Sequence, residues 1–115
     1  IYDNVNISRK HLGNIKFTYL YDNFPRETNE RQKFKDKFLK KYGDYPSKES
    51  YRAFDVTLDV ILRLAYQNKI YSNKIEETKY IENVFKYLPD KGGGFSNFGF
   101  YILQNKDYNI IEIKK

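Results

Sequence analysis

No cysteine occurs in the 115 residues, which excludes disulfides, thiolate nucleophiles and zinc–thiolate sites. The absence suits an oxidising envelope as well as a cytoplasm, so the compartment stays open. Histidine occurs once, at His11, and nothing at a workable spacing completes a triad or a zinc site around it. No stretch approaches the roughly 20 consecutive apolar residues of a membrane-spanning helix. Tryptophan is missing too, so the 18% aromatic content rests on 12 Tyr and 9 Phe. A small protein can bury many such rings, because each carries a large area and Tyr keeps a polar tip for water.

The length is that of one domain at most, near the size where a single core becomes self-sufficient. The formal net charge is +6, and a basic balance can signal nucleic acid or an anionic membrane surface. Here the lysines are dispersed. Lys33, Lys35, Lys37, Lys40 and Lys41 alternate with acids and apolar residues, and the run from Lys35 to Lys41 holds Asp36, Phe38 and Leu39. That reads as a solvated helix face, with no aromatic–basic ladder beside it, so no nucleic-acid partner is expected.

Along the chain, a short helix is expected over Ile7 to Leu12, ended by Gly13. Ile15, Phe17, Tyr19 and Tyr21 then share one face of a strand, with Lys16 and Thr18 opposite. A helix is expected from Glu30 to Tyr42, capped by Asn29 with Gln32 completing a capping box. Phe34, Phe38 and Tyr42 give it a buried stripe, and Gly43 supplies the left-handed residue after it. The strongest element runs from Lys48 to Asn68 behind the N-cap Ser47. Tyr51, Phe54, Leu58, Ile61 and Ala65 form one apolar stripe, and Val56, Val60 and Leu64 another. Arg52, Asp55, Asp59 and Arg63 are left as a narrow polar strip, read as an exposed charge ladder on a helix covered from two sides. After a polar connection, Ser72 to Lys74, a third helix is expected from Glu76 to Leu88, burying Ile81, Val84, Phe85 and Leu88 and closed by Pro89. A hairpin of Phe98–Leu103 and Tyr108–Ile113 ends the chain, turning at Asn105 to Asp107.

Motifs for catalysis are weak. Gly92-Gly93-Gly94 lacks the preceding strand and following helix of a phosphate loop, and reads as flexible entry to the hairpin. Asp55 and Asp59 could form a general acid/base pair, but flanking arginines argue for ordinary ionisation. The expectation is therefore no catalytic residue, no metal and no cofactor.

Phe34, the Tyr42-Gly-Asp-Tyr-Pro46 turn and the run from Ser50 to Ala65 together resemble the late region of type I periplasmic solute-binding proteins. In that family a helix with Phe and Tyr ends in a Tyr-Gly-x-x-Pro turn and leads into an aromatic-Asp helix. Phe54-Asp55-Val56 stands where Tyr-Asp-Ala is usual. The strand Phe17 to Tyr21 resembles the segment returning to the first lobe, and the tail from Gly92 to Ile113 resembles the closing hairpin. The tail is especially similar to a Bacteroidetes-like branch, in which such a domain sits in envelope proteins, sometimes beside LysM peptidoglycan-binding modules.

The resemblance implies an α/β fold, layered helices on a sheet with a terminal β-hairpin, covering residues 1–115 as the C-terminal portion of a larger two-lobed protein. It implies a non-catalytic solute-binding or sensory module, in the periplasm or cell envelope, for a small polar molecule such as an amino acid. Its partners would be the upstream part of the same polypeptide, a membrane transporter of the ABC type or a peptidoglycan-associated protein. The chain begins at Ile1 and not at Met, and a signal segment is expected upstream. Ser50, Tyr51 and Phe54 are the ligand-binding candidates, as an aromatic wall at a helix start, with Tyr21 and Asp22 on the hinge side. Core packing or capping is the alternative for each. If these residues are the whole molecule, open sheet edges favour a homodimer. The rival reading is a structural or interaction domain of the same fold without a ligand.

Overall fold

Helices and antiparallel strands share the described residues, 8–67 and 77–115, of this computed structural model. In chain order they are α1 (Arg9–Asn14), β1 (Thr18–Tyr21), α2 (Asn29–Tyr42), α3 (Lys48–Gln67), β2 (Thr78–Lys79), β3 (Val84–Phe85), β4 (Tyr87–Pro89), β5 (Phe95–Asn97), β6 (Tyr101–Lys106) and β7 (Asn109–Ile113). The mixture of helix and sheet expected from the sequence is present. Two units divide the chain: its ends, Ile1–Tyr21 with Phe100–Lys115, and its middle, Asp22–Gly99.

The unit made from the ends is a three-stranded antiparallel sheet in the order β1-β6-β7, with α1. β6 is the centre, and its alternate residues Tyr101, Leu103 and Asn105 are buried, as a half-buried strand requires. Tyr19 lies opposite Leu103 and Tyr21 opposite Tyr101, so the period-two aromatic face read from the sequence packs on the inner side of β6. The strand starts later than expected. Ile15 caps α1 and Lys16 takes φ 51, and that left-handed residue turns the chain before Thr18. Asn105 still donates from its backbone to Phe17 O at 2.9 Å, extending the pairing by one bond. The hairpin β6–β7 turns at Asp107, with φ 55, close to the expected position.

Gly13 does not end α1 but lies inside it. A Cβ there would stand 2.2 Å from Asp107 O, so glycine is required by the approach of the β6–β7 turn, not by a helix stop.

In the middle unit, α2 starts one residue early. Thr28 is its cap, accepting from Arg31 N at 3.2 Å, while Gln32 bonds Asp36 instead of closing a capping box. Gly43, at φ 75, ends it as expected. α3 begins behind Ser47, whose hydroxyl accepts from Ser50 N at 3.3 Å. The two helices meet through rings: Phe34 lies 4.6 Å from Phe54 and 5.2 Å from Tyr51, centroid to centroid. Contacts of this kind contribute about 0.5–1.5 kcal/mol each beyond area burial.

The expected third helix is corrected. Its residues 77–88 form β2, β3 and the start of β4, with Tyr80 N donating to Asn83 O at 2.9 Å to close the β2–β3 loop. Ile81 through Phe85 are buried without interruption, a pattern that a hairpin enclosed on both faces allows and a surface helix does not. Gly92-Gly93-Gly94 accordingly follows a strand and forms the β4–β5 turn, where Asp90 N donates to Gly94 O at 3.1 Å. The polar connection expected at Ser72 to Lys74 lies outside the described residues.

Candidate functional site

Three of the four residues in the polar strip of α3 face inward, while Arg52 stays exposed. Asp55 and Asp59 are 0% exposed and Arg63 5%, whereas Ile61 is 56% and Leu64 49% exposed. The expectation of an outward charge ladder is thereby overturned for Asp55, Asp59 and Arg63, and the reason is the β2–β3 loop. Three consecutive backbone N–H groups, of Ile81, Glu82 and Asn83, donate to the Asp55 carboxylate at 3.0–3.1 Å, and Asn83 Nδ2 donates at 2.9 Å. A buried loop must find acceptors for its amides. One carboxylate serves all of them, through bonds strengthened by its charge.

One turn on, Asp59 accepts from Arg63 Nε at 2.8 Å. Arg63 reaches Thr78 Oγ1 and Phe85 O, each at 3.4 Å, so it spans both strands of the hairpin. Its guanidinium also lies over the Tyr87 ring, 5.2 Å from the centroid. The expected neutralisation of Asp59 by Arg63 is present, but Arg52 pairs with Asp22 at 3.4 Å, not with Asp55. The Tyr80 phenol is pushed well above its ordinary range, first by burial and then by Asp59 as hydrogen-bond acceptor and negative charge.

The anchored loop supports a second layer. Glu82 forms an ion pair with Arg31 on α2, and that guanidinium lies 4.2 Å over the Tyr51 ring. Burial raises the Tyr51 phenol, with Arg31 opposing. Phe24 N donates to Glu82 O at 2.7 Å and Val84 N to Asp22 O at 3.3 Å, tying the 22–24 segment alongside.

These contacts leave a cleft of about 600 Å³ bordered by α2, α3 and the β2–β3 hairpin. Phe34, Phe54, Leu58 and Ile81 provide apolar walls. Arg26, Lys33, Lys37 and Lys79 bring positive charge, against the single lining carboxylate Glu30 among the described residues. Arg26 is held in place, its Nη2 donating to Tyr80 O at 3.2 Å.

The sequence-based candidates do not converge. Phe54 lines this cleft, while Tyr51 borders a separate recess of about 270 Å³ with Arg31 and Tyr45. Ser50 is committed to Ser47 in the α3 cap, and Asp22 to Arg52 and Asn23. Tyr21 is at the end of β1, in the unit made from the chain ends, stacked edge-on with Tyr19. Arg26, Lys33, Lys37 and Lys79 were missed. The available signal was that Lys33 and Lys37, four apart, flank Phe34 on α2 and so follow its ring to the same border.

Among the described residues, no group of His, Asp and Glu could hold a metal ion, and no helix is long and apolar enough to cross a membrane. No family model matches the chain, and no curated protein or solved structure matches it either.

Proposed function

We propose that this chain is the closing portion of a type I periplasmic-type solute-binding protein, a non-catalytic module of the cell envelope that helps to hold a small polar molecule such as an amino acid. The observation that carries the reading is the cleft bordered by Phe54. Its volume, about 600 Å³, falls in the range of roughly 300–1,000 Å³ usual for small-molecule sites, with apolar walls and a few placed polar groups. Phe54 also stands in the aromatic-Asp run on which the family resemblance rests. Asp55 and Asp59, the carboxylates best spaced for acid–base work, are engaged within α3 and its hairpin, which supports binding over catalysis. The partners are then the upstream part of the polypeptide and a transporter or peptidoglycan-associated protein.

The test is calorimetric titration of a panel of free amino acids and N-blocked amino acids into the chain joined to its upstream portion. At least one should give saturable heat, and Phe54→Ala should weaken it about tenfold, the ~1.4 kcal/mol scale of one lost aromatic contact. The second reading, a ligand-less interaction domain, is favoured by the internal commitment of Ser50 and Asp22. A panel that gives no heat selects it.

A further inference from the structure

We infer that the cleft of α2, α3 and the β2–β3 hairpin selects organic monoanions with an apolar body and no ammonium group, such as N-acylated aromatic or aliphatic amino acids, over free zwitterionic ones. The inference rests on the binding reading above and names its ligand class. Apolar walls alone would accept a hydrophobic body of either charge. The charge around them is one-sided, with four cationic side chains against Glu30.

Three features turn that excess into a preference for a carboxylate. Arg26 is half-buried and its guanidinium is oriented by the Tyr80 carbonyl, which fixes a cationic group at the border of the cleft. The first turn of α2 borders the same space through Thr28 and Glu30, and a helix start carries positive potential. Lys33 and Lys37 stand on the neighbouring turns with exposed ammonium groups, placed to attract an anion from solution.

A free amino acid brings its own ammonium into this field. It needs an acidic partner, and Glu30 is exposed, where an ion pair contributes about 0–1 kcal/mol. Lys33 and Lys37, exposed on the same helix, oppose it. Acylation of the amine removes the repelled charge and adds apolar area for the Phe34–Phe54 wall. Both changes act in the same direction.

The experiment titrates N-acetylphenylalanine, its carboxamide and free phenylalanine into the 115-residue chain, following saturation-transfer NMR and heat. The acid should bind at least about tenfold more tightly than the other two, and its affinity should fall as salt rises. Lys33→Gln with Lys37→Gln should lower it several-fold while leaving the melting temperature unchanged, since both residues are at the surface. Phe54→Ala should abolish the preference for aromatic over acetate-sized acids. Free phenylalanine as the tightest ligand overturns this inference and leaves the solute-binding reading standing. Equal affinity for acid and carboxamide also overturns it, because the rim charge is then not used. If none of the three binds, the inference fails, and the fate of the broader reading is decided separately by the panel on the longer polypeptide.

Discussion

Replacing Asp55 by Ala should unfold the β2–β3 loop from α3 at a cost that an exposed acid could never show. The carboxylate accepts four hydrogen bonds, three of them from consecutive backbone amides of Ile81, Glu82 and Asn83, all within residues that are 7% exposed or less. A bond to a charged group contributes about 1.5–3 kcal/mol, so four would total roughly 6 kcal/mol even at the low end. Such terms are not additive, and water entering the vacated space restores part of the loss. The expected cost is therefore about 3–5 kcal/mol, the scale of breaking a buried charged network. Asp55→Asn should cost less, about 2–3 kcal/mol, keeping one acceptor oxygen but opposing its new N–H₂ to a loop N–H. Urea unfolding at neutral pH measures both. With a slope of about 1–3 kcal/mol per molar, the Ala midpoint falls by roughly 2 M. The Asn variant also gives a readable transition if the Ala chain is unfolded at the outset. Hydrogen exchange on the Asn variant should show lost protection at residues 81–83 first. A change below about 0.5 kcal/mol for either variant, as expected of an ordinary surface site, would refute the buried-anchor reasoning.

Gly13→Ala should lower the melting temperature, because the added Cβ meets a backbone oxygen at 2.2 Å that no rotamer change can move; overpacking of this kind costs about 1–3 kcal/mol. A raised melting temperature, from the ~1 kcal/mol gain of Ala over Gly in a helix, would show that the turn moves away freely. Ile61→Gln and Leu64→Gln should each change stability by no more than about 0.5 kcal/mol, against the 2–5 kcal/mol expected of large-to-small changes in a core stripe; urea midpoints of the two variants decide between them. Alkaline titration should destabilise the protein through Tyr80. Its folded pKa lies above the ordinary phenol value of 10.0, so the stability it contributes is complete below that value and is lost as pH rises beyond it. Tyr80→Phe should reduce the loss of stability above about pH 10, the remainder coming from the raised phenols of Tyr51 and Tyr87, and an unchanged slope would exclude Tyr80 as a source.

Local signals made much of the fold legible. α2, its stop at Gly43, α3 behind Ser47 and the terminal hairpin each have their determinants within a few residues of where they act. The error at residues 77–88 came from the same kind of reasoning. Ile81, Val84, Phe85 and Leu88 recur at spacings of three and four, which suits a helix face. Glu82 and Asn83 lie between those apolar positions, yet both are buried, Glu82 by pairing with Arg31 and Asn83 by bonding Asp55. Neither partner lies within 25 residues, so no local window contains the information that makes five consecutive residues buried.

The same distance explains the inverted helix. The spacing of Arg52, Asp55, Asp59 and Arg63 established that α3 has a polar strip, and periodicity cannot say whether water or protein faces it. What turns the strip inward is a demand created elsewhere, by a tight loop that buries three of its own N–H groups and needs an anion to receive them. Phe54, Ile61 and Leu64 are then left on the exposed part of the helix, and of these Phe54 meets Phe34 at the cleft. Asp55 therefore does more than hold the hairpin. By fixing residues 81–83 it also sets the position of Tyr80, whose carbonyl orients Arg26, and of Ile81, which forms the opposite wall. Fold stability and cleft geometry depend on one carboxylate, so a substitution there changes both, whereas Lys33 and Lys37 alter the rim charge alone.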